Sequence, residues 1–170
     1  MSLALSPEAD AKITALTKRY PTVHAALIPS LWVAQREFGY LSEEALTLIA
    51  TRLDLAPAKV IATATFYSMF FKKPMGRFHL QVCKNISCYL RGSDAIEKVA
   101  AEKLGLTKTH QKTADGLFSY EKAECLGACG RAPIVQVNET YHEWLTPESF
   151  SALIDNLRLE AVREVEGAQP

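Results

Sequence analysis

An excess of charge of either sign, a long apolar run and a basic leader are all missing from this sequence. Its 19 Lys and Arg balance its 19 Asp and Glu, so the formal net charge is zero. Nucleic-acid binding needs clustered cations to neutralise phosphates, and nucleic acid is therefore not an expected partner. Adhesion to anionic lipid through charge alone is disfavoured by the same balance. The longest apolar-looking stretch, VIATATFYSMFF at 60–71, is too short and too rich in Thr, Ser and Tyr to span a bilayer. The N-terminal MSLALSPEADAKI has no basic segment ahead of an apolar one, so no secretory leader is expected. The expected compartment is reducing cytosol or an equivalent lumen. Cysteine is scarce, with four residues, and none sits in a CxxC pair. A thioredoxin-type dithiol needs that pair and is excluded. In a reducing compartment, clustered cysteines are metal ligands or redox groups more often than structural disulfides.

What is present suffices for a packed core. Hydrophobic residues make up 48% of the 170 positions, enough for one ordinary domain or two small ones. Residues 6–71 read as helices. Ser6 is an N-cap with Pro7 at the first helical position, and Ile13 and Leu16 share one face up to Pro21. A second helix is expected over 23–38, with Pro29 marking its true start or a kink, and Gly39 as its stop. Ser42 opens a third, with Leu46, Ile49 and Leu53 at helical spacing. The fourth is expected from Pro57 to about Phe70. Short connections make these an antiparallel bundle. After KKPMGR (72–77) the period changes. RFHLQVC alternates and ends on Cys83, and a helix capped by Ser93 runs to Gly105. Strands are expected at 117–124, 133–138 and 140–145, with Asn138-Glu139 as a hairpin turn. Thr146 and Pro147 open a last helix, and the chain from about 160 reads as a frayed tail. The fold class is α+β, with units at 1–73 and 74–160 and a tail at 161–170.

The cysteines are spaced Cys83-x4-Cys88, then 36 residues, then Cys125-x3-Cys129. Each pair begins where an expected strand ends. If those strands run parallel, both loops leave the same end of one sheet and four thiolates can converge there. Zinc is one reading, although zinc knuckles most often use CxxC. A 2Fe-2S cluster is the better match, because it takes four thiolates and its bulk suits wider loops. In ECLGACGRAP (124–133) the small residues Gly127, Ala128 and Gly130 let backbone N–H groups approach sulfur, which tunes reduction potential. Leu126 and Ile86 are expected to limit water access.

The runs CKNISCYLRGSD, ECLGACGRAPIVQVN and YHEWLTPE resemble the NuoE family, the ferredoxin-like subunits of complex I, the NADH:quinone oxidoreductase. LIPSLWVAQREFGYLSEEAL and ATFYSMFFKKPMGRFHLQVC are similar to that family's N-terminal half, and the resemblance covers roughly residues 10–158. It implies a thioredoxin-like ferredoxin domain behind a helical bundle, with one 2Fe-2S cluster on Cys83, Cys88, Cys125 and Cys129. It also implies a partner flavoprotein subunit that binds FMN and oxidises NADH, within the peripheral arm of a larger complex. On this reading the chain is an electron-transfer subunit, not catalytic alone. It is cytoplasmic and peripheral to the inner membrane through the complex, with no membrane insertion of its own. Similar subunits serve NAD-linked hydrogenases and formate dehydrogenases, so these assemblies are alternatives. A zinc-stabilised interaction module is a further one.

Other residues carry plainer expectations. Phe66, Tyr67, Met69 and Phe70 are expected to seal the bundle against the ferredoxin domain or to meet the flavoprotein subunit, and Trp32 to sit in a core. His24, His79, His110 and His142 are not expected as ligands, since four cysteines complete a cluster. Lys84, Arg91 and Arg131 flank the cysteine loops and are expected in solvent, where their charge raises the potential.

Overall fold

Three hydroxyl side chains start the first three helices. Ser6 Oγ accepts from the Ala9 N–H (3.2 Å), Thr22 Oγ1 from that of Ala25 (3.2 Å) and Ser42 Oγ from that of Ala45 (3.1 Å). Each satisfies one of the donors that a helix N-terminus leaves without an intrahelical partner. The computed structural model describes residues 3–167 and divides into two units between Pro74 and Met75. The first unit holds α1 (Pro7–Arg19), α2 (Val23–Phe38), α3 (Glu43–Leu53) and α4 (Pro57–Phe66). Its core is Ile13, Leu27, Leu31, Leu46, Ile49, Val60 and Phe70 with their neighbours, and Trp32 packs against it. Arg52 of α3 reaches back to the Asp10 carboxylate and the Thr14 hydroxyl of α1.

Two expectations for this unit change. Pro29 does not begin α2: the helix starts ahead of it, at Val23 after the Thr22 cap, and runs through the proline to Gly39, whose φ of 77° closes it. The Ser30 hydroxyl donates to the Ala26 carbonyl (2.7 Å) beside it. The fourth helix stops at Phe66 rather than Phe70. The following segment is held instead by the buried Gln35, whose amide donates to the Met69 carbonyl (3.0 Å) and accepts from the Phe71 N–H (2.7 Å). A glutamine thus satisfies backbone groups that helical bonds would otherwise satisfy. This turn buries Phe70 completely in the bundle core and leaves Phe66 80% exposed.

The second unit contains β1 (Phe78–Cys83), α5 (Ile86–Leu90), α6 (Ser93–Leu104), β2 (Gln111–Lys112), β3 (Phe118–Ala123), a 3-10 turn (Cys129–Arg131), β4 (Val135–Val137), β5 (Thr140–His142) and α7 (Pro147–Gly167). The strands form one mixed sheet in the order β2-β3-β1-β4-β5. Strands β1 and β3 are parallel, in register from Phe78↔Phe118 to Cys83↔Ala123. The two-residue turn at Asn138-Glu139 joins β4 to β5, with Asn138 in the left-handed region at φ 55°. Alternation sorts the faces. Phe78, Leu80, Val82, Phe118, Tyr120, Val135 and Val137 form the core with Ile96 and Ala100 of α6 and Phe150 and Ile154 of α7.

Three further differences concern this unit. The short helix α5 and the strand β2 have no periodic signal of their own in the sequence, since five and two residues are too few to carry one. Ser93 is not the cap of α6: Gly92, at φ 97°, holds that position, and Ser93 Oγ is buried with no hydrogen-bond partner among the described residues. The last helix does not fray at 160. It continues to Gly167, because Leu157 and Ala161 still face the core. Residues 168–170 of the expected tail lie outside the described residues. Among the described residues no helix is long and apolar enough to cross a membrane.

Candidate metal centre

Both cysteine pairs begin at the C-terminal edge of the parallel strand pair. Cys83 is the last residue of β1, and Cys125 lies two residues beyond the end of β3. The ladder continues into the loops, with the Lys84 N–H donating to the Ala123 carbonyl (2.9 Å) and the Cys83 N–H to the Ile134 carbonyl (3.2 Å). The carboxyl edge of such strands is where open α/β sheets bind their ligands. The first loop turns at once into α5, which Asn85 caps through its side-chain oxygen and the Ile86 N–H (2.9 Å). Cys88 is on that helix and is buried. The second loop runs through Gly127, at φ 75°, to the turn that contains Cys129.

Cys83 and Cys88 are buried together in a small apolar cluster with Ala132 and Ile134, against which Leu126 and Ala128 pack. Cys125 and Cys129 are exposed, and all four sulfurs are free of disulfides. Burial, followed by a hydrogen bond with Cys83, pushes the Cys88 thiol up to about 11, and the charges of Cys83 and Cys129 push in the same direction. Cys83 and Cys129 thus both lie within electrostatic reach of Cys88. Among the described residues, no three His, Cys, Asp or Glu side chains close into a formed metal site. The Gly127 N–H donates to Cys125 Sγ (3.3 Å), one of the backbone-to-sulfur bonds for which a small-residue loop leaves room. Expectations for the screening residues divide. Leu126 packs against the cysteine cluster, whereas Ile86 is 63% exposed and lies outside that cluster.

The donor set fits an iron–sulfur group. Sulfur is the only ligand type that the loops present in number, and thiolate is the ligand that such clusters take. Burial and like-charged neighbours disfavour a bare Cys88 thiolate, and a bound cationic centre removes that penalty.

Sequence reasoning missed how thoroughly the loops are held. Tyr141 donates its hydroxyl to the Leu126 carbonyl (2.8 Å), and the Trp144 N–H donates to that of Arg131 (2.8 Å). The three flanking cations are not simply solvated. Lys84 pairs with Glu97 (3.0 Å), which also takes Lys122 (2.9 Å), so one carboxylate of α6 ties down the ends of β1 and β3. The Glu97 carboxylate beside it raises the Lys84 pKa. Arg91 Nε donates to the Ala132 carbonyl (2.9 Å). Arg131 pairs with Glu143 (2.8 Å) and lies over the Trp144 ring. No spacing rule links these partners, which lie from 12 to 41 residues apart. Pro133 follows a cis peptide bond.

Of the histidines, His79 is buried on the sheet face opposite the core. Its ring meets Ser119 Oγ through Nδ1 (2.9 Å) and Glu121 through Nε2 (3.1 Å), away from the cysteines along the strand. His142 sits on β5, and burial lowers its pKa.

Comparison with known proteins agrees with this geometry. Residues 13–158 match the family model described as thioredoxin-like [2Fe-2S] ferredoxin. The chain is 45% identical over 146 residues to the E subunit of the NADH-quinone oxidoreductase of Rickettsia bellii, covering 84% of this chain and 87% of that one. It is 41% identical over 158 residues to the second E subunit of the NADH-quinone oxidoreductase of Rhizobium meliloti, covering 92% and 94%. Among solved structures, NAD+-reducing [NiFe]-hydrogenase in the H2-reduced state superposes with a TM-score of 0.66 at 23% identity, over 76% of this chain and 22% of the other. The air-oxidized state gives the same score over 81% of this chain and 23% of that one. This chain therefore spans under a quarter of the hydrogenase chains, and the likeness concerns the fold.

Proposed function

Because this chain belongs to the thioredoxin-like [2Fe-2S] ferredoxin family, we propose that it is the electron-transfer ferredoxin subunit of an NADH:quinone oxidoreductase. In this reading Cys83, Cys88, Cys125 and Cys129 are the ligands of one 2Fe-2S cluster. When bound, such a cluster supplies a one-electron carrier beside a partner flavoprotein that holds FMN and oxidises NADH. The observation that carries the reading is the parallel pairing of β1 with β3, which delivers both cysteine loops to one sheet edge. The relatives at 45% and 41% identity are named for NADH-quinone oxidoreductase, which favours the quinone-linked complex over a hydrogenase or formate dehydrogenase. The chain then resides in the cytoplasm, peripheral to the inner membrane through its complex.

The chain's own residues divide the work. Cys83 and Cys88 supply buried sulfur, with Ala132, Ile134, Leu126 and Ala128 excluding water on that side. Cys125 and Cys129 supply sulfur on the exposed side, where a partner can approach. The Gly127 N–H steadies Cys125 and favours the more negative state of the site. Lys84, Arg91 and Arg131 hold positive charge around both loops.

The test is anaerobic reduction by NADH. The reconstituted chain is mixed with its flavoprotein subunit, and the EPR spectrum is recorded with each component alone and with both. A new S = 1/2 signal from this chain that needs both subunits and NADH is expected. A cluster reducible by dithionite that stays oxidised under NADH in the assembled complex contradicts the proposed partner.

A further inference from the structure

The sheet ladder accounts for how the two cysteine loops start side by side, but not for what fixes the path of the second loop away from it. Tyr141 and the Trp144 N–H hold its middle through Leu126 and Arg131, and two side chains of the first cysteine segment hold its two ends. Asn85 Nδ2 donates to the Glu124 carbonyl (3.1 Å), immediately before Cys125. Arg91 Nε donates to the Ala132 carbonyl (2.9 Å), three residues after Cys129. In the first segment the donors bracket Cys88, and in the second the acceptors bracket the Cys125–Cys129 pair. Asn85 is itself fixed, since its Oδ1 caps α5 at the Ile86 N–H. Arg91 is fixed by its own N–H, which donates to the Ser87 carbonyl (3.3 Å) at the end of the same helix.

We infer that Asn85 and Arg91 are positioning residues: together they staple the first cysteine loop to both ends of the second and set the spacing of the two thiolate pairs. The inference rests on the four-cysteine reading above. The second loop has reason to need such a staple. It contains Gly127 and Gly130, so backbone entropy opposes its ordered form more than in an ordinary turn. Cys125 and Cys129 are exposed, so burial orders the loop only through Leu126, Ala128 and Ala132. A staple set within the protein leaves less ordering for the metal to drive. The two ends differ in chemistry. Arg91 carries a positive charge and a donor fork suited to a carbonyl, whereas Asn85 contributes a neutral bond and no charge.

The experiment compares wild type, N85S, R91M, N85S/R91M and R91K as full-length reconstituted chains. Serine keeps a capping hydroxyl for α5 but is too short to reach Glu124. Methionine keeps an apolar stem and removes the donor, and lysine keeps the charge and one donor. The readouts are iron release to a chelator, the EPR g values of the dithionite-reduced chain, and amide exchange of residues 124–132 in the metal-free chain. N85S/R91M is expected to release iron roughly tenfold faster, in the range typical for lost supporting contacts, with shifted g values and faster exchange confined to 124–132. R91K is expected to stay close to wild type. If the double variant takes up no iron, the single variants decide: faster release and exchange in each supports the staple, and wild-type behaviour in each overturns it. Wild-type release, g values and exchange in the double variant also overturn it. A wild-type chain that assembles no cluster fails the four-cysteine reading itself and the staple with it, whereas a normal wild-type cluster with indifferent variants fails the staple alone.

Discussion

At the scale of single residues, the four cysteines differ in what they risk. Cys88 is 1% exposed and Cys83 2% exposed, so each also contributes to packing. Cys125 is exposed and contributes only its sulfur. Replacing Cys125 by Ala should therefore abolish the cluster's visible absorption while the far-UV circular dichroism stays near that of the metal-free wild type. An unchanged cluster spectrum in that variant contradicts its role as a ligand. Glu121 sets a different expectation. Burial pushes its carboxyl pKa up, but hydrogen bonding and charge from His79, assisted by His110 and Gln81, outweigh this and leave it below the ordinary 4.5. A carboxylate with a lowered folded-state pKa contributes stability that is complete above its unfolded value and is lost as pH falls through the folded value. E121Q should cost about 1 kcal/mol or more near neutrality. The difference in urea midpoint between wild type and E121Q should shrink as pH falls below 4.5. A difference that stays constant down to about pH 3 contradicts the assignment.

At the scale of elements, the strand that carries Cys83 depends on a close approach just before it. A Cβ on Gly76 would overlap the Phe118 carbonyl carbon and lie 2.5 Å from the Ser119 nitrogen, both backbone atoms of β3. Neither can swing aside as a side-chain tip can. Gly76→Ala should destabilise the second unit by about 2 kcal/mol or more, in the range of overpacked sites. A thermal melt of the metal-free chain within a degree or two of wild type contradicts this close approach. The elements also mark what the sequence makes legible. Helix starts are read from local chemistry, and Ser6, Thr22 and Ser42 lie beside the groups they cap. Strands β1 and β3 announce themselves because one face is core and the other polar, so their residues alternate. The end of α4 is not legible, because the group that stops it is Gln35, more than thirty residues away. The same holds for the end of α7, where a mixed polar composition hides Ala161 in the core. At the site, the spacing of the cysteines is local and readable, whereas Asn85 with Glu124 and Arg91 with Ala132 exist only once β1 and β3 pair.

At the scale of the whole molecule, two units with separate cores share one chain, and all four cysteines belong to the second. The balanced net charge and the assembly of its relatives into a multi-subunit oxidoreductase fit a chain whose surface is made to be covered by other subunits. That the four cysteines hold a redox cluster is a chemical claim, and one preparation tests it most directly. The chain is purified without oxygen, and iron, acid-labile sulfide and zinc are measured together with the EPR spectrum after dithionite reduction. The predicted result is about two iron and two sulfide per chain, the composition of a single 2Fe-2S centre, with an S = 1/2 signal. One zinc per chain, with no sulfide and no signal from a strictly anaerobic preparation, would contradict it and leave a zinc-stabilised interaction module in its place.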